Sequence, residues 1–314
     1  MDQTFTPLLT STCWNDQWKE AQKRRRPPDN AAYWDKRAAT FRTKDAPSSY
    51  TDQFLGFAAI EPGETVFDMG CGNGALALPL AAAGHHVMAA DFSQGMLDDL
   101  KAKAEARGVS SLIEPLLLSW EDNWEAAGIE PNCVDVAVAS RSVATADLEA
   151  SLRKLSAVAR RRACATLTTG ASPHVDLAVF EALDLPVPRG FDYLYAYLVL
   201  SEMGYVPEVR LIRSYRTKSY QDEEDAAADL TAMVRKFAAS PGADGMGAPL
   251  PESRIEDALA RLRPWLAEQL VPNPRAGEDD GHGSVEGALQ LRNPRVITWA
   301  FLSWDTACEP QRLW

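Results

Sequence analysis

Short apolar runs alternate with stretches of helical periodicity through most of the chain. The apolar runs predict buried strands at 66–67, 87–91, 113–118, 133–140 and 163–169. The stretches with apolar residues three or four apart predict helices at 50–59, 75–83, 97–107, 147–160 and 191–203. Strands that alternate with helices of this length are typical of an α/β fold, so the chain is predicted to form a doubly wound sheet.

Further segments flank this predicted core, which spans 47–214. Residues 1–46 are predicted to form an N-terminal helical segment or lid. Trp14 and Trp18 lie four residues apart there, and therefore share one face of a helix. A second helical stretch is predicted over 31–41.

Two predicted strands near the C-terminus, 205–213 and 296–302, are separated by about eighty residues, too many for a bare loop in a compact domain. Apolar residues at helical spacing predict helices over 222–239 and 252–270. The sequence therefore predicts a helical insertion over 215–292 that packs as a small cap beside the site. Residues 293–314 then supply the final strand and the tail of the core.

A glycine-rich turn follows the first predicted strand, in the sequence Val-Phe-Asp-Met-Gly-Cys-Gly-Asn-Gly at 66–74. Gly70, Gly72 and Gly74 allow a tight turn and a close approach of a ligand to the backbone. The helix after the turn offers unpaired N–H groups at its start. The spacing G-x-G-x-G differs from the G-x-G-x-x-G of dinucleotide enzymes, and Asp68 would repel a pyrophosphate but suit a cation.

The segment 68–74 resembles motif I of the class I S-adenosylmethionine-dependent methyltransferases, D-x-G-C-G-x-G, at every fixed position. The resemblance implies a seven-stranded Rossmann-like sheet and S-adenosyl-L-methionine as the cofactor. In that family the glycine turn wraps the methionine part and the ribose of the cofactor. The likeness is good over about 60–170 and loose in the flanks.

A second acidic residue, Asp91, ends the second predicted strand 23 residues beyond Asp68. A carboxylate at about this offset reaches a ribose, whose two hydroxyls it can accept from. The run that follows resembles the family's D-x-S-x-x-M-L, with Ser93 as a helix N-cap. Met96 is either an apolar wall near the adenine or ordinary core.

The resemblance also implies contacts after the third and fourth strands. One of the side chains at 119–121 is expected to meet the adenine, and the end of the fourth strand to abut the transferable methyl group. The residues expected to bind the cofactor are Asp68, Gly70, Cys71, Gly72, Gly74, Asp91, Phe92, Ser93, Met96, Ser119, Trp120, Glu121 and Ser140.

Catalytic residues are not determined by these motifs, and His174, Arg141 and Tyr33 are the candidates. His174 lies in a loop at the carboxyl end of the sheet, where an imidazole would have a suitable pKa range for a base. The alternative, which the loop position favours, is a hydrogen-bonded histidine without a catalytic role. Arg141 is either a clamp for an acidic substrate or a partner of a nearby acid, and Tyr33 either lines the cavity or packs on the core.

The N/D-P-P-Y/F motif of adenine-N6 and cytosine-N4 methyltransferases is absent after the fourth predicted strand, which argues against methylation of bases of that kind.

Composition narrows the choice of partners. The chain has 314 residues and a formal net charge of −12, which opposes nonspecific binding to nucleic acid. The basic run at 23–26 is interpreted as a solvated helix end. No apolar run is long enough for a membrane span, the N-terminus lacks a signal-peptide layout, and a cytoplasmic protein is expected. The five cysteines have no C-x-x-C spacing, so no metal site is predicted.

The predicted function is in-line methyl transfer from S-adenosylmethionine to a small-molecule acceptor. Alternatives are a tRNA or protein methyltransferase, and a regulator that binds S-adenosylmethionine without turnover. A nicotinamide dehydrogenase is disfavoured by the glycine spacing. The sequence leaves open the acceptor, its attacking atom, and whether the protein is a monomer or a homodimer.

Overall fold

A seven-stranded sheet forms the centre of the computed structural model, which describes residues 7–25, 30–38, 49–170, 172–187, 190–240, 248–279 and 285–307. The strands, numbered β1 to β10 in chain order, are Val66–Met69, Val87–Asp91, Ile113–Leu117, Val134–Ser140, Ala159–Thr168, Glu208–Arg216, Ser219–Tyr220, Leu270–Pro272, Leu289–Leu291 and Arg295–Asp305. The seven-stranded sheet has the order β3-β2-β1-β4-β5-β10-β6. Strands β1 to β5 are parallel, and β10 runs antiparallel to both β5 and β6. The doubly wound seven-stranded fold is confirmed.

Strand order reverses between β1 and β4, which are hydrogen-bonded neighbours although β2 and β3 lie between them in the chain. A crevice opens beyond the carboxyl ends of parallel strands at such a switch point, and ligands bind there. The glycine turn after β1 and the segment after β4 both lie at this position. The fold therefore brings together the ends of β1 and β4, which the sequence analysis assigned to the cofactor and to the transferable methyl group.

Helices cover both faces of the sheet. Numbered α1 to α12 in chain order, they are Leu8–Ser11, Trp14–Arg25, Ala31–Ala38, Ser49–Ala58, Ala77–Ala82, Gln94–Ala106, Leu148–Val158, Leu177–Ala182, Asp192–Glu202, Glu223–Ala238, Glu252–Leu259 and Leu262–Gln269. One apolar core joins the sheet to α4, α5 and α6, and a second joins it to α2, α7 and α9. The predicted helix over 31–41 is described only to Ala38, because 39–48 lie outside the described residues.

A separate apolar cluster is formed by α8 together with α10, α11 and α12. Beside it lies a three-stranded sheet of order β7-β9-β8, which the sequence did not predict. The prediction of one helix over 252–270 was wrong, since two helices meet at 260–261. Pro264 explains the break, because proline has no N–H to donate and its ring clashes with the carbonyl four residues earlier.

The helix predicted over 147–160 ends at Val158, and the arginines at 160–162 lie on β5, which begins at Ala159. Arg160 pairs with Asp135 at 2.8 Å, and Arg161 donates from Nη2 to Glu64 at 2.7 Å. These ion pairs lie at the amino-terminal ends of β1, β4 and β5, at the end of the sheet opposite the crevice. Of the basic run at 23–26, Lys23 pairs with Glu20 at 2.6 Å, as expected of a solvated helix end.

No helix in the described part of the chain is long and apolar enough to cross a bilayer. Cys13, Cys71, Cys133 and Cys164 are free thiols, and Cys308 lies outside the described residues. Within the same ranges no cluster of three or more His, Cys, Asp or Glu residues is arranged to hold a metal ion.

Candidate active site

The glycine turn after β1 is held against the neighbouring strand. The backbone amides of Gly70 and Cys71 donate to the carbonyl of Ala90 at 2.7 and 3.0 Å. Gly70 has φ of 76°, and a Cβ built on it would lie 2.3 Å from the Cβ of Ser142. The Ser142 hydroxyl donates to the carbonyl of Met69 at 2.5 Å. The segment after β4 therefore lies directly on the turn, and only glycine allows this approach.

Replacement of Gly70 with alanine tests this contact. The matched control is Gly108→Ala, because Gly108 has φ of 68° and open space around its missing Cβ. We expect the control to lose about 1 kcal/mol of unfolding free energy from the left-handed backbone alone. Gly70→Ala should lose clearly more, because Ser142 must also move. Urea unfolding of both variants measures the difference, and equal losses would contradict the close approach.

Asp91, at the end of β2, is 5% exposed and fixed by two backbone amides. Gly72 donates to one carboxylate oxygen and Ser93 to the other, each at 2.9 Å. Each oxygen retains a further lone pair for a ligand. Burial raises the pKa of Asp91, while the amides of Ser93 and Gly72 lower it. The carboxylate is thus oriented by the glycine turn with capacity for two incoming hydroxyl donors.

Asp68, at the end of β1, is 1% exposed, and neither of its oxygens has a hydrogen-bond partner in the described ranges. Burial and then the charge of Asp91 raise its pKa to about 7; the amide of Ala77 opposes this shift without a well-aligned hydrogen bond. A buried, unpartnered carboxyl is costly to a fold and needs an explanation. A cationic ligand in the crevice supplies one.

The start of α6 is capped by side chains from two segments. The Ser93 hydroxyl accepts from the Met96 amide at 3.2 Å, which confirms the predicted N-cap. The same hydroxyl donates to Asp35 of α3 at 2.6 Å, and the Gly95 amide donates to Asp35 at 3.1 Å. Hydrogen bonding to Ser93 and Gly95 lowers the pKa of Asp35. Met96 is buried on the inner side of the helix.

The loop after β3 holds itself together through its own side chains. Ser119 bonds to Glu121 and accepts from its amide at 3.1 Å, and the Ser119 amide donates to Asp122 at 2.8 Å. The Trp120 ring packs 5.4 Å from Trp124, and its indole N–H is buried without a partner among the described groups. Glu121 is exposed.

A hydroxyl network lies at the end of β4. The Tyr50 hydroxyl is 2.9 Å from that of Ser140 and 2.8 Å from that of Thr166, and the Arg141 amide donates to Thr166 at 3.0 Å. Burial raises the pKa of Tyr50, so the phenol remains neutral near pH 7. The Arg141 guanidinium lies 4.3 Å above the Tyr50 ring. A neutral donor and acceptor thus adjoin the crevice beside β1.

Comparison with known proteins decides the family. Residues 66–162 match the family model of a methyltransferase domain. A protein of Haemophilus influenzae, named only as an uncharacterized protein, is 34% identical over 198 residues, which are 60% of this chain and 70% of that protein. The chain belongs to the class I S-adenosylmethionine-dependent methyltransferases.

Two solved structures resemble the methyltransferase over most of its length. Geranyl diphosphate C-methyltransferase from Streptomyces coelicolor A3(2) is 11% identical, covers 94% of this chain and 98% of its own, and has a TM-score of 0.45. The YcgJ protein from Bacillus subtilis is 13% identical, covers 82% and 97%, and has a TM-score of 0.45. The name of the first structure states that geranyl diphosphate is methylated by the S. coelicolor enzyme, and this applies to that enzyme alone.

The crevice of the methyltransferase fits its cofactor, S-adenosylmethionine. The orphaned carboxyl of Asp68 suits a positive charge, and Asp91 suits a pair of hydroxyls. A Cβ added to Gly72 would meet nothing within 4 Å, so the turn leaves space beside the main chain. Burial and the charges of Asp68 and Asp91 raise the pKa of the Cys71 thiol well above its usual range, which keeps it neutral.

The catalytic candidates Tyr33 and His174 have no hydrogen bond to Asp68 or Asp91 among the described contacts. Tyr33 on α3 is 51% exposed and packs edge-on to Trp34, at 5.4 Å between ring centroids. His174 is exposed in the segment before α8, with its amide 3.3 Å from the hydroxyl of Ser172. The roles proposed for both stay predictions. Tyr50 was missed as a site residue, and Asp35 was missed as a cap.

Proposed function

We propose that the methyltransferase acts on a small-molecule acceptor. The observation that carries the proposal is the pairing of two buried carboxyl groups, Asp68 and Asp91, across a glycine turn whose far side adjoins the hydroxyls of Tyr50 and Ser140. This arrangement supports a cofactor half and an acceptor half of one crevice. The net charge of −12 supports a small acceptor over a polyanion.

Each residue has a proposed task. Asp68 would hold the cationic methionine end, Asp91 the ribose, and the loop at 119–121 the adenine. Bound S-adenosylmethionine supplies an electrophilic methyl group that needs no activation by the protein. The chain itself then mainly has to align a nucleophile and exclude water. Ser140 and Tyr50 are proposed to orient the acceptor by hydrogen bonds.

We also propose that 215–292, together with α8, forms a cap over the acceptor half. Support comes from chain connectivity, because α8 follows the carboxyl end of β5 and packs into one apolar cluster with α10, α11 and α12. The segments that enter and leave the insertion are joined as β7 and β9, which pair at Ser219–Gln290. The division into 1–46, 47–214, 215–292 and 293–314 remains part of this proposal.

Methyl-labelled cofactor tests the acceptor class. We expect label to enter the small-molecule fraction of a metabolite extract, with S-adenosylhomocysteine as the co-product. Label in tRNA or protein would overturn the small acceptor, and in the RNA case the activity should fall steeply with added salt. Cofactor binding without transfer to any fraction would favour a regulator instead. S-adenosylmethionine labelled in its adenine instead of its methyl group is the control for label carried over by binding alone.

A further inference from the structure

Three arginines meet at the crevice end of the sheet. Arg216 is the last residue of β6 and Arg295 the first of β10, and the two are direct cross-strand partners. Arg141 follows β4, with its guanidinium 4.3 Å from the Tyr50 ring centre and 5.9 Å from that of Trp299. Trp299 lies four residues along β10 from Arg295, and therefore on the same face.

The three arginines are close enough for Arg295 and Arg141 to act electrostatically on Arg216. Partial desolvation of the guanidinium first, and then the charges of Arg295 and Arg141, lower the pKa of Arg216, although the residue is exposed by surface area. Like charges directly opposite on neighbouring strands destabilise a sheet. In the described residues no carboxylate lies within 4 Å of any of the three, whereas Arg160, Arg161, Arg235, Arg263 and Arg275 are each paired.

The overall charge of the chain does not account for the lack of an ion pair at these three arginines in the described ranges. The chain has 44 acidic against 32 basic residues, so carboxylates are the more available partner. Arginine binds phosphate and carboxylate through a planar fork of donors and also stacks on aromatic rings, as Arg141 does on Tyr50. An anion between the three side chains would remove their mutual repulsion.

We propose that Arg141, Arg216 and Arg295 bind an anionic group, phosphate or carboxylate, carried by the methyl acceptor. The inference rests on the proposed function, since it assigns the acceptor half of the same crevice. Arg141 directly follows Ser140 and shares the Tyr50 ring, so the anionic group lies on the β5–β10–β6 side of the hydroxyl network.

The position of the arginine pair connects the site to the cap. Arg216 is three residues before β7 begins, and β9 ends four residues before Arg295. The two chain segments leave the core side by side at this point and continue as the paired strands β7 and β9. An anion bound by Arg216 and Arg295 would therefore stabilise the two segments that connect the cap to the sheet.

Anion titration of the full-length protein tests the site. Inorganic pyrophosphate, inorganic phosphate and succinate are added at matched ionic strength, with sodium chloride as the baseline, and the Tm and calorimetric heat are recorded. At about ten times its Kd, the best of these anions should raise the Tm by about 2 °C or more over chloride. Stronger binding of the phosphates or of succinate distinguishes a phosphorylated from a carboxylated acceptor.

Two variants make the result specific. Arg295→Gln should bind the anion at least about tenfold more weakly and, without anion, be no less stable than wild type, because it loses a repulsion. Arg210→Gln is the matched control, since Arg210 lies on the same face of β6, about 20 Å away along the strand, and contacts Phe57. It should bind the anion like wild type.

The outcomes separate this inference from the proposal on which it rests. No anion effect beyond chloride, or equal binding by Arg295→Gln and wild type, overturns the arginine site. Calorimetry with S-adenosylhomocysteine on the same wild-type sample measures the cofactor half alone. If that ligand binds while no anion does, the anionic acceptor is wrong and the methyltransferase proposal stands. If that ligand does not bind, the proposed function itself fails.

Discussion

The Asp91→Asn variant is expected to bind S-adenosylhomocysteine at least about tenfold more weakly than wild type, a loss of about 1.4 kcal/mol or more. The carboxylate is oriented by the amides of Gly72 and Ser93, each at 2.9 Å, and retains lone pairs for two hydroxyls. An amide group has one acceptor oxygen, so it cannot serve both backbone donors and a ribose. Isothermal titration calorimetry provides the measurement.

The control for Asp91 is Asp98→Asn, on the exposed side of α6, where the carboxylate accepts from Gln94 at 2.7 Å. This variant should bind the ligand like wild type. Asp91→Asn leaves a buried backbone donor unsatisfied, which costs about 1–3 kcal/mol of stability, so affinity is measured well below the Tm of both variants. Unchanged affinity in a folded Asp91→Asn protein would remove this residue from the cofactor site.

The affinity for S-adenosylhomocysteine should rise with pH and level off above pH 7, because Asp68 has a pKa of about 7 without ligand. The α-ammonium group of S-adenosylhomocysteine, whose sulfur is an uncharged thioether, is expected to bind the carboxylate form, so binding below pH 7 must first release a proton. The affinity then changes by up to about tenfold per pH unit on the acidic side. Calorimetry between pH 5.5 and 8.5, in buffers of different ionisation enthalpy, measures both the slope and the released proton.

Stability without ligand should depend on pH in the opposite sense. The folded protein holds a proton on Asp68 up to about pH 7, whereas the unfolded chain loses it near the ordinary value of 3.8. Stability from this group is therefore full below pH 3.8 and is lost as the pH rises to 7. Asp68→Asn should flatten both profiles and bind the ligand weakly at every pH. A pH-dependent affinity that persists in this variant would assign the titration to another group.

The local part of the site was accessible from the sequence because its signals are local. The glycine turn, Asp68, Asp91 and the cap at Ser93 all lie within 30 residues, and their spacing reflects one strand–turn–helix unit and its neighbour. The alternation of buried strands with helices likewise predicts the order of elements, although several ends differ by a few residues. The structure confirms that these residues lie at the ends of β1 and β2 and at the start of α6. Their roles in binding the cofactor stay predictions.

The acceptor half depends on contacts between distant positions. Tyr50 lies in the first turn of α4 and resembles any aromatic residue on an apolar helical stripe. Its hydroxyl nevertheless bonds to those of Ser140 and Thr166, which are 90 and 116 residues away in the chain. Arg216 and Arg295 become neighbours only through the register of β6 and β10. Two- and three-residue strands such as β7 and β9 are too short to produce a hydrophobic pattern.

Asp35 connects α3 to the residues that are proposed to bind the ribose. Its carboxylate holds both the Ser93 hydroxyl and the Gly95 amide, while the amide of Ser93 holds Asp91. Displacement of α3 would break two hydrogen bonds at the start of α6 and would free Ser93, whose amide orients Asp91, the residue proposed to bind the ribose. We therefore expect displacement of α3 from the sheet to weaken cofactor binding at the proposed ribose site.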